Sequence, residues 1–88
     1  MEFDLPNLRH MRVFRECLRC CSVSGAAAAC NMSQPAATQA IAKLEATVGT
    51  RLVLRQPPRL GPTPCGALLV RRVEAALSHL ERGAREAS

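Results

Sequence analysis

Residues 24–48, SGAAAACNMSQPAATQAIAKLEATV, constrain this chain more than any other stretch. Two helix-forming runs flank a turn. Residues 24–30 are nearly all alanine, the strongest helix former. Asn31, Met32 and Ser33 interrupt the run, and asparagine is one of the few non-glycine residues that tolerate a left-handed backbone. Ser33 reads as an N-cap, its hydroxyl able to accept from an otherwise unpaired backbone N–H. Pro35 falls in the first turn of the helix that follows, where a missing N–H costs little.

The spacing predicts that this second helix covers residues 34–48. At about 100° per residue, Ala37, Ile41, Leu44 and Val48 fall on one narrow stripe. Pro35, Gln39, Ala42 and Ala46 fall opposite, flanked by Thr38 and Lys43. A helix that meets only water usually carries long charged side chains there. This outer face is short, polar and without acids apart from Glu45 at its border. It suits contact with a surface that is itself polar and negative. Two helices joined in this way match a helix-turn-helix, whose second helix enters the DNA major groove by its N-terminal end.

Eighty-eight residues suffice for one small domain. A chain of this size buries roughly 60% of its unfolded surface, so the core must be modest. Alanine supplies much of the 48% hydrophobic content, and there are two phenylalanines and no tyrosine or tryptophan. That favours close helix–helix packing and argues against a surface of stacking aromatics such as single-strand binders use. The formal charge is +5, and residues 50–73 hold five arginines (Arg51, Arg55, Arg59, Arg71 and Arg72) and no acid. Alone, such a run is a solvated face. Directly after a helix-turn-helix it reads as an electrostatic footprint for phosphates. The first six residues are acidic, and no long apolar run follows, so neither a signal peptide nor contact with a membrane is expected. The five cysteines are expected to stay reduced in the cytoplasm.

In chain order, Glu2, Phe3, Asp4, Leu5 and Pro6 form a lead-in, with Asn7 as an N-cap. Residues 8–21 are predicted helical, with Leu8, Met11, Phe14, Leu18 and Cys21 on one stripe. Arg9, Arg12, Arg15, Glu16 and Arg19 lie mostly outside it. Ser22, Val23 and Ser24 read as a turn before the alanine helix, whose small side chains permit close approach. Gly49 ends the helix over 34–48. Residues 51–55 have strand composition, Pro57 and Pro58 break it, and Leu60, Gly61 and Pro62 form a short return strand. The pair makes a wing, with Pro62 confining the return strand to an edge.

Thr63 is the N-cap and Pro64 the first residue of a last helix reaching Glu81 or beyond. Its apolar stripe is Leu69, Val73, Ala76, Leu77, Leu80 and Ala84. A helix of roughly twenty residues is about 30 Å long. Only its first turns are expected to pack over the core; the stripe is assigned to a coiled-coil-like homodimer. The expected architecture is therefore mostly α: a winged helix-turn-helix (three-helix core plus short two-stranded wing) at residues 1–62, then a dimerisation helix at 63–88.

Four fragments, LRHMRVF, SQPAATQAIAKLE, GTRLVLR and TPCG, stand in order within residues 8–66 and together resemble the LysR-type transcriptional regulators. The resemblance implies a winged helix-turn-helix, a dimerising linker helix and a C-terminal effector domain that is absent here. The chain would then be the DNA-binding fragment of a longer regulator, or a truncated form, and a small-molecule effector would act only through that missing domain. It further implies that Ser33, Gln34, Pro35, Thr38 and Gln39 face double-stranded DNA. Gln34 and Gln39 would read bases, since a carboxamide pairs with the N6 and N7 edge of adenine. Pro35 and Ala36 would touch a thymine methyl, and Ser33, Thr38 and Lys43 would hold phosphates or sugars. Arg55 matches the wing arginine, Arg59 would reach the minor groove or its phosphates, and Thr63 matches a cap near the DNA backbone. Gln39 stands where a longer basic residue is common, Val53 where phenylalanine is, Pro62 where leucine is, and Gly25 with the alanine run where charged residues are.

Cys17, Cys20 and Cys21 lie three and four residues apart, with His10 two turns from Cys17. Thiolates in that arrangement could hold a soft metal, so a metal- or redox-sensing repressor is the second reading. Zinc spacings normally place cysteines on turns, and Cys21, Cys30 and Cys65 read better as small core filler. No metal or cofactor is assigned. The chain has no phosphate-cradling glycine loop, zinc-peptidase helix motif or nucleophile elbow, so no enzymatic activity is expected. His79 with Glu74 or Glu81 reads as solvated helix surface. A third reading, a dimerisation module without DNA binding, is opposed by the basic residues Lys43, Arg55 and Arg59.

Overall fold

Asn7 opens the first helix: its side-chain oxygen accepts from the backbone N–H groups of Arg9 at 2.8 Å and His10 at 3.2 Å. The computed structural model describes residues 5–56 and 59–88. Three helices, α1 (Leu8–Cys20), α2 (Val23–Ala29) and α3 (Gln34–Val48), enclose the core. Two antiparallel strands, β1 (Val53–Gln56) and β2 (Arg59–Pro62), form the wing, with Val53 opposite Pro62 and Gln56 opposite Arg59. A long helix, α4 (Pro64–Ala87), follows. This is the expected mostly helical winged helix-turn-helix. Glu2, Phe3 and Asp4 of the lead-in and the wing-tip residues Pro57 and Pro58 lie outside the described residues.

The turn between α2 and α3 closes as the sequence suggests. Asn31 is left-handed at φ 54°, the Met32 N–H donates to the Ala27 carbonyl at 2.9 Å, and the Asn31 N–H donates to the Ala28 carbonyl at 3.3 Å. That pair of bonds satisfies the carbonyls a helix end leaves open. Ser33 then caps α3, accepting from the Ala36 N–H at 3.2 Å. At the other end Gly49 takes φ 89° and donates to the Glu45 carbonyl at 2.8 Å.

Several local expectations need correction. Residues 22–24 are not a turn: Ser22 accepts from the Gly25 N–H at 2.9 Å and caps α2, which begins at Val23. The chain reverses instead at Cys21, which ends α1 in a left-handed conformation at φ 54°. The buried side of α1 is Val13, Phe14, Glu16 and Cys17, whereas Leu8, the first residue of the helix, is exposed. β1 starts at Val53 rather than residue 51, since the Leu52 and Val53 N–H groups donate to the Glu45 carboxylate at 2.7 and 3.3 Å. Gly25 has its own reason for being glycine: a Cβ there would lie 2.7 Å from the Cys20 Cβ, so α2 could not approach α1.

α4 is anchored at its root and along its length. The Thr63 N–H donates to the Leu52 carbonyl at 3.1 Å, and its hydroxyl donates to the Arg51 carbonyl at 2.7 Å and accepts from the Gly66 N–H at 2.9 Å. A Cβ on Gly66 would collide with the Leu52 carbonyl oxygen. Packing on the core extends well beyond the first turns. Val73 and Leu77 are buried, Leu69 and Val70 are half-buried against the core, and Arg15 Nη1 meets Glu81 Oε1 at 3.5 Å. Val73 and Leu77, assigned from sequence to a second copy, are thus covered by their own chain. Ala76, Leu80 and Ala84 are exposed, as is Leu68, which lies outside the expected stripe.

Candidate nucleic-acid interface

One surface gathers most of the residues singled out in the sequence. Ala37, Ala40, Ile41 and Leu44 turn α3 inward, which leaves Ser33, Gln34, Pro35, Gln39 and Lys43 exposed and Ala36 and Thr38 half-buried. The first turn of α3 carries no acid, so the positive end of its dipole is uncancelled and favours an anion.

Basic groups stand on both sides of that helix end. Gln34 shares a cleft with Arg55 and Arg59 of the wing and with Ser22 and Ser24 at the start of α2. On the other side, Gln39 and Lys43 share a cleft with Arg9 and His10 of α1. Arg9, His10, Ser22 and Ser24 were not among the expected site residues. Ser22 was detectable as a cap before an alanine run; Arg9 and His10 reach the site only through the packing of α1 on α3, which no local pattern encodes.

The wing is held to the body by backbone bonds. The Leu60 N–H donates to the Cys21 carbonyl at 3.2 Å, tying β2 to the end of α1. Glu45 joins β1 to α3 through the Leu52 and Val53 N–H groups and approaches Arg51 Nε at 4.0 Å. An acid near a helix C-terminus opposes the dipole. Here two charge-assisted bonds offset that cost, and the wing arginines are carried into register with Gln34.

Thr63 drops out of the expected DNA-facing set. It is buried, and its hydroxyl proton and an oxygen lone pair are both engaged within the chain. The single donor of that side chain is committed to the Arg51 carbonyl, so none is left for a phosphate.

The cysteines do not converge. All five are free thiols: Cys17 is buried, Cys20 and Cys65 are exposed, and Cys21 and Cys30 are half-buried. The core filler is therefore Cys17, not Cys65. Burial, with smaller contributions from Cys30 and Cys20, pushes the Cys17 thiol up to about 11, against a lowering by Arg55. The Cys30 thiol is also raised, first by burial and then by Glu16. A metal or redox centre needs the thiolate, and these surroundings disfavour it. Among the described residues no group of three or more His, Cys, Asp or Glu side chains is placed to hold a metal ion. Nor is any described helix long and apolar enough to cross a membrane.

Residues 8–67 match the model of the bacterial regulatory helix-turn-helix proteins of the LysR family. The chain belongs to the LysR family. Among curated LysR-family proteins, the HTH-type transcriptional regulator TdcA of Escherichia coli (strain K12) is 33% identical over 84 residues, covering 96% of this chain and 27% of TdcA. The chain thus spans about a quarter of the length of the curated relatives it matches. Among solved structures, the oxidized form of Corynebacterium glutamicum OxyR superposes with a TM-score of 0.91 at 28% identity, over 99% of this chain and 28% of that one. A complex named BenM_DBD/catB site 1 DNA superposes with a TM-score of 0.87 at 26% identity, over 92% of this chain and 90% of that one.

Proposed function

We propose that this LysR-family chain binds double-stranded DNA sequence-specifically as a homodimer and thereby regulates transcription. One observation carries the reading: the exposed, acid-free N-terminus of α3 stands between Arg55 and Arg59 on one side and Arg9 and Lys43 on the other. A helix end flanked by cations fits a major groove bordered by two phosphate backbones. The likeness to a domain solved on DNA supports it.

In this reading residues 1–62 contact DNA and residues 63–88 pair two copies. Gln34 and Gln39 read base edges, and Pro35 and Ala36 contact a thymine methyl. Ser33, Thr38, Lys43, Arg55 and Arg59 position the helix on the backbone. Pairing uses the α4 surface left open, Leu68, Ala76, Leu80 and Ala84, with Leu69 at its margin. Recognition is an equilibrium without chemistry in the cytoplasm, and a small-molecule effector acts through a domain outside these residues.

The test is selection from random duplexes followed by a salt titration. A two-fold-related site should emerge, with affinity falling steeply as salt rises. Gln34→Ala should lose about 1–3 kcal/mol of discrimination at one base position, while Arg55→Ala weakens all sequences alike and lowers the salt slope by about 1. Equal losses on selected and random DNA from Gln34→Ala would remove it as a base reader.

A further inference from the structure

Besides its apolar contacts, α4 is tied to the body by polar groups at two separated points. At the root, Thr63 makes its three bonds and Gly66 lies flush on the Leu52 carbonyl. The far tie is ionic. Arg15 Nη1 meets Glu81 Oε1 at 3.5 Å, Arg15 Nη2 meets Glu16 Oε1 at 3.4 Å, and Arg19 Nη1 meets Glu16 Oε1 at 3.2 Å. The Glu16 side chain is 11% exposed and that of Arg15 14%, so this inner pair is largely shielded from water, while Glu81 at 43% and Arg19 at 62% form its open rim. Glu81 lies one turn beyond Leu77, the last buried apolar residue of α4.

The separation of the two ties sets their leverage. Thr63 to Glu81 spans about 27 Å of helix. A tilt of about 10° at the root would carry the far end about 5 Å, more than one base-pair step of about 3.4 Å. The apolar contacts of Val73 and Leu77 resist separation but are non-directional. A guanidinium held by a buried carboxylate beneath it is directional, and it acts where the lever is longest.

We infer that Arg15 and Glu81, with Glu16 beneath them and Arg19 at the exposed edge of the network, are positioning residues that set the direction of α4 relative to α3 and so the spacing between the two half-sites of a dimer. The spacing part rests on the DNA-binding reading above; the direction of α4 does not.

Two measurements on the 88-residue chain separate these parts, using Glu81→Ala and, as a control with the same charge change on the same helix, Glu86→Ala. Alanine keeps the helix propensity at both positions. Residual dipolar couplings, recorded without DNA, should fit one alignment frame for all four helices in the wild type and in Glu86→Ala. In Glu81→Ala the α4 couplings should depart from the frame that still fits α1, α2 and α3. On duplexes with two half-sites at varied separation, the wild-type preference for its best spacing should fall from about tenfold to under about threefold in Glu81→Ala, with affinity for a single half-site held within about twofold. One shared frame in Glu81→Ala overturns the clamp whatever the DNA does. An α4 that reorients with no change in the spacing profile overturns its role in spacing. Wild-type protein that binds no half-site overturns the DNA reading and the spacing claim together.

Discussion

α3 and α4 begin alike and are used differently. Each opens on a hydroxyl cap with proline in the first turn, Ser33 before Gln34 and Pro35, and Thr63 before Pro64. Ser33 is exposed and its hydroxyl makes one bond, whereas Thr63 is buried and its hydroxyl makes two. The fifteen residues of α3 bury Ala37, Ala40, Ile41 and Leu44, while the twenty-four of α4 bury Gly66, Val73 and Leu77. The same local grammar therefore makes an open helix end in one place and a buried anchor in the other. Burial of the cap decides which.

Deleting the inner face of α3 should have the largest effect. Leu44 is 1% exposed, and Leu44→Ala should cost about 3–4 kcal/mol in urea unfolding through lost burial and the cavity left behind. Leu80, 51% exposed on α4, is the counterpart, and Leu80→Ala should change the stability of a dilute monomer by less than about 0.5 kcal/mol. Under the proposed pairing, Leu80→Ala should instead raise the concentration at which the chain self-associates, read by analytical ultracentrifugation. A large stability loss from Leu80→Ala would mean that α4 is wholly part of one core.

Next comes the buried cap. Thr63→Ala removes a donor and an acceptor at once and leaves the part-buried Arg51 carbonyl and the buried Gly66 N–H without that partner. The expected cost is about 2–3 kcal/mol, above that of an ordinary cap, read by thermal or urea unfolding. A cost near that of an exposed cap would show that water reaches those two groups.

The two helices also differ in how far the chain announced them. The bounds of α3 follow from local signals alone: the Asn31 turn, the Ser33 cap, Pro35 and Gly49. The start of α4 follows in the same way from Thr63 and Pro64. Which side of α4 faces inward does not, because Leu69, Val73, Leu77 and Leu80 form one apolar run by spacing, and only packing against the body, α1 and β2, buries Val73 and Leu77 while leaving Leu80 open. The site divides likewise. The α3 pattern and the family resemblance pointed to Gln34, Gln39, Arg55 and Arg59, which the fold brings to the candidate surface. Arg9, His10 and the bridging role of Glu45 depend on contacts between segments distant in sequence.

The smallest effect belongs to Ser33, and it separates structure from recognition at one atom. Its hydroxyl accepts from the Ala36 N–H at an exposed helix end, so Ser33→Ala should cost about 0.5–1 kcal/mol of folding stability. Ser33→Asp keeps the acceptor and adds a negative charge near the positive end of α3, so its stability should stay within about 0.5 kcal/mol of wild type. The same charge would face the phosphates that the proposed interface approaches, and like charges repel. Ser33→Asp should therefore fold normally and lose DNA affinity, with a loss that shrinks as added salt screens the repulsion. Ser33→Ala should be slightly less stable and should lose only one neutral backbone contact, a smaller drop in binding than Ser33→Asp shows and about equal on all sequences. If Ser33→Asp bound DNA as well as Ser33→Ala at low salt, the N-terminus of α3 would not be the end that meets the backbone.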